Sequence, residues 1–265
     1  MTAAVPTVDK TIEDLVLANS VLSYEGVLDA FGHVSARHPH HSEHYLLSRS
    51  RSPELVAPED ICEFDLTSNP VRDYQTSYYA ERVIHGCIYQ ARPDVHAVCH
   101  LHAESVLPFA NTGVPIRPVL HVGAVVGETV PIWDARDEFG DTNMLVSTLE
   151  QGHSLARTIG PHWAALLRRH GAVVVGRTIR EVVFRAIHLK LNAEVQLQAA
   201  ALGQISPLTA REIELSAEVN LRPMVQDRTW EYWTSRLPHP PRRGSGQGQA
   251  PAGRPAPTSP DEAAP

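Results

Sequence analysis

The stretch "HAVCHLHAES" (96–105) sets His100 and His102 two residues apart. Strand side chains alternate between faces, so His96, Val98, His100 and His102 share one side, while Ala97, Cys99 and Leu101 give the other a small apolar surface suited to a core. Two neutral imidazoles so placed can hold zinc or a similar divalent ion. The chain has 15 histidines, so one His-x-His pair also arises by chance, and a catalytic metal site needs a third protein ligand and an open position. His170, at a tight turn before Gly171 in "AALLRRHGAVVVG", is the candidate third ligand. Glu81, on the flank of a helix leading into the His-x-His strand, is the candidate acid. The bland alternatives are a solvated Glu81 paired with Arg82 or Arg92, and a surface turn histidine at 170.

The elements that must position these groups alternate between helical and strand patterns. "TIEDLVLANSVLSYEG" carries apolar residues at helical spacing and stops at Gly26. "GHVSARHPHHSEHYLLSRS" reads as two short strands around a polar turn, in which His38, His40, His41 and His44 are expected to be solvated. "CEFDL" is a third strand. "TSYYAERVIHGCIYQARP" puts Ala80, Val83, Ile84, Cys87 and Ile88 on one helical face and stops near Pro93. "HAVCHLH" is a strand, "AALLRRHGAVVVG" is a strand pair, and "TIREVVFRAIHLKLNAEVQLQAAALG" is a long helix closing at Gly203. "TAREIELSAEVN" and "RTWEYWTSRL" are two further helices, with Trp230 and Trp233 as packing residues and Tyr232 a candidate to reach a neighbour's active site. The pattern predicts an α/β fold in layers, a central β-sheet flanked by helices.

The chain as a whole excludes several function classes. Its 265 residues bury a sizeable core, and 43% hydrophobic with 20% charged residues is an ordinary globular balance. A net charge of −7 gives no footprint for nucleic acid. No apolar run approaches the roughly 20 residues of a membrane helix, and the N-terminus has no basic-then-apolar leader, so a cytoplasmic location is expected. Cys62, Cys87 and Cys99 are scattered and form no Cys-x-x-Cys pair, so no disulfide framework or zinc finger is expected. The organisation expected is a catalytic domain over 1–237 and a disordered Pro/Gly-rich tail over 238–265.

The order "GHVSAR", "APEDI", "AERVIHGCIYQARPDVHAVCHLHAESV" and "RRHGAVVVGRTIREVVFRAIHLKLNAE" resembles the class II aldolase/adducin family over roughly residues 8–215. The resemblance implies a layered sheet-and-helix fold, assembly as a homo-oligomer, usually a tetramer, and active sites near subunit interfaces. It also implies a divalent metal held by His100, His102 and His170, with Glu81 as ligand or base. Zinc is the first expectation, with manganese, cobalt, iron and magnesium as alternatives. All four positions are filled, unlike in the adducin-like, non-catalytic branch.

The departures matter as much. Sugar-phosphate aldolases of the family hold phosphate with a Ser-Ser pair, where this chain has Tyr79-Ala80, and with a Thr-Gly loop, where it reads "SRSRSPEL". The Asn of their Gly-Asn-Val-Ser is His33, and an aldolase proton-donor tyrosine falls near His121 and Val122. Ser48, Ser50 and Arg51 are therefore expected to bind a substrate carboxylate, Arg51 as a planar fork, with Arg49 a weaker candidate. Glu81, His33 and His121 are the candidate proton donors, and the sequence does not choose among them; His33 as a hairpin support and His121 as a hydrogen-bonded core residue are the alternatives.

The pattern is most similar to the family's decarboxylases of aromatic-acid degradation. They act on 3,4-dihydroxyphthalate or on hydroxy-carboxy-muconic semialdehydes. The resemblance thus implies a metal-dependent carboxy-lyase acting on a small carboxylate, without nucleic-acid or membrane partners. A sugar-phosphate aldolase or epimerase is the alternative, and a non-enzymatic interaction module the third class.

Overall fold

The computed structural model describes residues 5–238, so the expected tail over 238–265 lies, from residue 239 on, outside the described residues. In chain order the main elements are α1 (Val8–Tyr24), β1 (His33–Arg37), β2 (His44–Ser48), β3 (Ile61–Asp65), α2 (Val83–Ala91), β4 (Ala97–Leu101), α3 (Leu107–Thr112) and β5 (Ile132–Trp133). They continue with α4 (Arg136–Phe139), α5 (Leu149–Ile159), β6 (Ala164–Leu167), β7 (Gly171–Gly176), α6 (Ile179–Leu202), α7 (Ala210–Asn220) and α8 (Pro223–Ser235). The seven strands form one sheet in the order β3-β2-β1-β4-β7-β6-β5. Only the β5–β6 pair is parallel; every other neighbour is antiparallel. The expected layered α/β arrangement is present, and its strands run mostly antiparallel because hairpins, not helical crossovers, join β1 to β2 and β6 to β7.

The period-2 alternation of β4 divides the core. Ala97, Cys99 and Leu101 join Leu15, Leu22, Phe184 and Leu189 in a cluster against α1 and α6. Val98 joins Ile84, Cys87, Ile88 and Leu155 in a second cluster against α2 and α5. Each fully buried aliphatic side chain contributes about 1.5–3 kcal/mol through area removed from water. α6 begins at the N-cap Thr178, whose side chain accepts from Glu181 N–H, and ends at Gly203. Trp230 and Trp233 pack into the first cluster, as their pattern predicts, and Tyr232 is exposed.

Three local expectations are corrected. The helix expected across Thr76–Pro93 is a 3-10 turn at Ala80–Arg82 followed by α2, so Glu81 stands on the turn. α8 starts at Pro223, five residues before the "RTWEYWTSRL" segment, because proline is well tolerated in the first helical turn. The polar turn between β1 and β2 is not uniformly solvated: His38 is buried and its Nδ1 accepts from His40 and His41 N–H at 3.2 and 3.0 Å.

Candidate metal centre and active site

Four groups from three parts of the fold converge at the end of β4. His100 is the fourth residue of β4, on the Val98 face and buried. His102 follows just past the strand end, and His170 closes the β6–β7 hairpin turn. Glu81 comes from the 3-10 turn that α2 extends over the same face. Their nearest donor atoms all lie within 4.8 Å of one another. Among the described residues, this is the one group of three or more His, Cys, Asp or Glu side chains able to share an ion.

Each histidine is locked in the same tautomer. His100 Nδ1 lies 3.2 Å from the Ala172 carbonyl, His170 Nδ1 2.9 Å from the Met144 carbonyl, and His102 Nδ1 3.0 Å from Asp29 Oδ1. A carbonyl or carboxylate oxygen only accepts, so each Nδ1 carries the proton and each Nε2 presents a lone pair. His100 Nε2 and His102 Nε2 are 3.1 Å apart, and Glu81 Oε2 lies 3.5 Å from His100 Nε2 and 3.6 Å from His170 Nε2. Lone pairs aimed at one point repel unless a cation lies between them, so the residues fit a divalent ion. Burial first, and neighbouring imidazoles next, lower the pKa of His102, and burial also lowers that of His170 despite Glu81, which favours the neutral, ligating form.

Glu81 is buried and accepts the Val146 N–H at 2.9 Å through Oε1. Burial pushes its pKa up, but the His100 and His170 imidazoles beside it and the Val146 N–H outweigh this and hold it at about 2. It is thus not the solvated helix carboxylate of the bland alternative; Arg82 bonds to Ser68 and Tyr79 carbonyls, and Arg92 pairs with Asp94.

The hairpin turn that presents His170 carries local strain. Arg169 has φ +61°, and Met144, whose carbonyl holds His170, has φ +67°, a region uncommon for side chains with a Cβ. A Cβ on Gly171 would sit 2.2 Å from the Leu101 carbonyl oxygen and 2.9 Å from His102 Cδ2, so only glycine lets β7 approach the ligand-bearing end of β4.

His33 faces the same region from β1. It pairs in register with His100, their ring centroids are 5.2 Å apart, and the Tyr79 ring lies 4.5 Å from His33 on another side. The Tyr79 hydroxyl donates to the Arg51 carbonyl and accepts the Arg51 N–H at 3.3 Å. Tyr79 therefore bridges His33 to the loop of Ser48, Ser50 and Arg51. Ser48 Oγ is buried without a hydrogen-bond partner, and Ser50 is exposed with its N–H bonded to the Ser77 carbonyl. Arg51 Nη1 donates to both Asp60 oxygens at 3.0 and 3.1 Å, and Arg49 Nε donates to the same carboxylate at 2.6 Å. Arg51 is thus half-committed to Asp60, its other guanidinium nitrogens forming no bond to the described residues. His121 is elsewhere: it is exposed on a 3-10 turn, with Asn220 Nδ2 3.3 Å from its Nδ1, and its ring is not beside the His100, His102 and His170 rings.

Sequence reasoning missed Asp29, which orients His102, and His85, which contacts His33 at 2.7 Å. His85 stands four residues after Glu81 and four before Tyr89, a helical stripe in the sequence that marks a polar seam facing β1.

Comparison with known proteins identifies the family. Residues 13–197 match the family described as Class II Aldolase and Adducin N-terminal domain. The decarboxylase tropJ of Talaromyces stipitatus is 33% identical over 237 residues, covering 80% of this chain and 88% of its own. The 3,4-dihydroxyphthalate decarboxylase of Arthrobacter keyseri is 28% identical over 206 residues, covering 72% of this chain and 79% of its own. The L-fuculose 1-phosphate aldolase structure from Glaciozyma antarctica PI12 superposes with a TM-score of 0.70 at 22% identity, covering 85% of this chain and 87% of that one, which shows the shared fold. With a family match across most of its length and a relative one-third identical, the chain belongs to the class II aldolase and adducin family.

Proposed function

We propose that the protein is a metal-dependent carboxy-lyase that removes CO2 from a carboxylated catechol or from an enolisable hydroxy-carboxy-muconic semialdehyde. One observation carries the reading: three histidines, each with its Nδ1 proton engaged elsewhere, turn their Nε2 atoms onto one point beside Glu81 Oε2. His100, His102 and His170 would hold the ion, with Glu81 beside them. A divalent ion there, zinc first among the candidates, supplies Lewis-acid stabilisation of the negative charge that departing CO2 leaves on the substrate.

The chain's own residues do the rest. Glu81 stays ionised in the buried site and handles a proton at Oε2. His33, one ring away from His100, faces the carbon that lost the carboxylate and passes to it a proton drawn from solvent, so that its own ring ends neutral as it began. Arg51, with Ser48 and Ser50, receives the substrate carboxylate, Asp60 holding the guanidinium at an angle that leaves one edge free. Tyr79 fills the space beside His33 and fastens this loop, which disfavours a phosphate there. The named decarboxylases among the relatives support the same reaction. The protein works as a homotetramer, and His121, away from its own cluster, serves the site of another subunit; Phe31, 72% exposed two residues before His33, is the kind of surface such a neighbour covers.

The test is product identity. The metal-loaded protein is given 3,4-dihydroxyphthalate, a 2-hydroxy-3-carboxy-muconic semialdehyde, and fuculose or ribulose phosphate. CO2 from one of the acids is expected. Aldehyde and dihydroxyacetone phosphate from the sugar phosphates, with no CO2 from either acid, would move the protein to the aldolase reading.

A further inference from the structure

We infer that Ser35, acting through His85, fixes His33 as its Nε2–H tautomer, so that a neutral N–H, not a lone pair, is what His33 offers the substrate. The inference deepens the reading above, in which His33 meets substrate.

His33 and Ser35 stand two apart on β1 and so share a face; His85 and Tyr89 stand four apart on α2 and share another. The two faces meet in a buried row. His33 Nδ1 is 2.7 Å from His85 Nε2, His85 Nδ1 is 2.6 Å from Ser35 Oγ, and Ser35 Oγ is 2.8 Å from the Tyr89 hydroxyl. All four side chains are at most 1% exposed. Both rings are buried, and neither is hydrogen-bonded to a carboxylate that would hold a second proton in place. Each ring therefore carries one proton at neutral pH.

Each link in the row holds one proton, which limits the arrangements. If Tyr89 O–H donates to Ser35, Ser35 O–H to His85 Nδ1, and His85 Nε2–H to His33 Nδ1, every buried proton has an acceptor, and the His33 proton sits on Nε2. If instead His33 carries its proton on Nδ1, His85 must carry its own on Nδ1 and donate to Ser35. The proton of either Ser35 or Tyr89 then has no acceptor among the described residues. A buried hydroxyl without an acceptor is the less stable choice. His33 Nε2 makes no hydrogen bond with the described residues and is not among the sealed, unpaired polar atoms, so it opens toward the site. Ser35, His85 and Tyr89 are positioning residues: none needs to touch substrate.

The decisive hydroxyl is that of Ser35, because it alone forces the His85 proton toward His33. Histidine labelled with 15N in the ring reports the tautomer directly, and the His33→Asn spectrum identifies the His33 signals. Expected is a single neutral Nε2–H form in the unmodified protein and in Tyr89→Phe, where Ser35 still donates to His85. In Ser35→Ala, a mixture of the two neutral tautomers is expected, and kcat falls about tenfold with KM changed less than about twofold. A protonated Nδ1 or a mixture in the unmodified protein would overturn the inference without any variant, as would a pure Nε2–H form in a folded Ser35→Ala protein. The ring signals need no turnover, so failure of the decarboxylase reading shows separately, as an absence of CO2 with the tautomer unchanged.

Discussion

Two regions of this chain are rich in histidine, and they use it differently. Between residues 38 and 44, four imidazoles crowd into one turn. His38 Nδ1 accepts two backbone N–H groups of that same turn, and His44 Nδ1 meets Glu63 at 2.6 Å. These rings serve local structure, and among the described residues no three ligand atoms of the turn and its neighbours come close enough to share an ion. At the end of β4 the ligands come from separate elements, each Nδ1 is engaged with an oxygen, and the Nε2 atoms share one point. Closeness in sequence is thus a poor guide to a metal site; what matters is whether the rest of the fold occupies the second nitrogen of each ring.

The contrast is sharpest under substitution. His100→Ala combined with His102→Ala should abolish activity and remove about one metal ion per chain, while His40→Ala with His41→Ala should leave metal content unchanged. Elemental analysis of both purified variants checks this; metal lost from the turn variant and kept in the strand variant would reverse the assignment. Glu81→Gln keeps the shape of the site but removes the carboxylate's charge and proton-transfer ability. The rate should fall about 10²–10⁴-fold, read as kcat in the metal-loaded variant.

A smaller effect is expected in the loop that faces His33. Arg51→Lys keeps the charge but loses the planar fork, and should raise KM with a loss in kcat/KM of about 1.5–3 kcal/mol. Unchanged kinetics in Arg51→Ala would remove Arg51 from substrate binding.

The smallest effect belongs to the turn. Burial first, and then the neighbouring histidines against the pull of Glu63, set the folded pKa of His38 below the ordinary 6.5. A depressed folded pKa means the unfolded chain binds the proton more readily. The contribution is therefore complete above about pH 6.5 and is lost as pH falls through the folded pKa. In His38→Asn the side-chain oxygen can accept the same N–H groups and does not titrate. Its melting temperature should decline less steeply below pH 6.5 than that of the unmodified protein, with metal content unaltered. An identical acid limb in both proteins would show that His38 does not carry this pH dependence.

How much of this was legible in the sequence depended on how local each signal was. The β4 alternation, the hairpin at His170 and the N-cap Thr178 and closing Gly203 of α6 are local patterns, and each was readable. Asp29 was not, because its meaning is a contact 73 residues away with His102. His85 was not either, because the apolar face dominates the periodicity of its helix, although His33 and Ser35 alternate on β1 opposite it. The stretch from 105 to 163 shows no clear helix or strand periodicity, yet Thr148 and Gln151 form a capping box at the start of α5, which was present as "TLEQ". Strand direction stayed hidden because pairing is set by packing and connection lengths, not by periodicity.

The most direct test of the central claim measures CO2 release from the accepted acid in three states of the same preparation: as purified, after exhaustive chelation, and after one equivalent of zinc or manganese is returned. We expect release to disappear with the metal, to return with it, and not to return in the His100→Ala, His102→Ala variant. Full CO2 release from the chelated protein, with metal analysis confirming that no ion remains, would contradict the claim that these histidines hold the working metal.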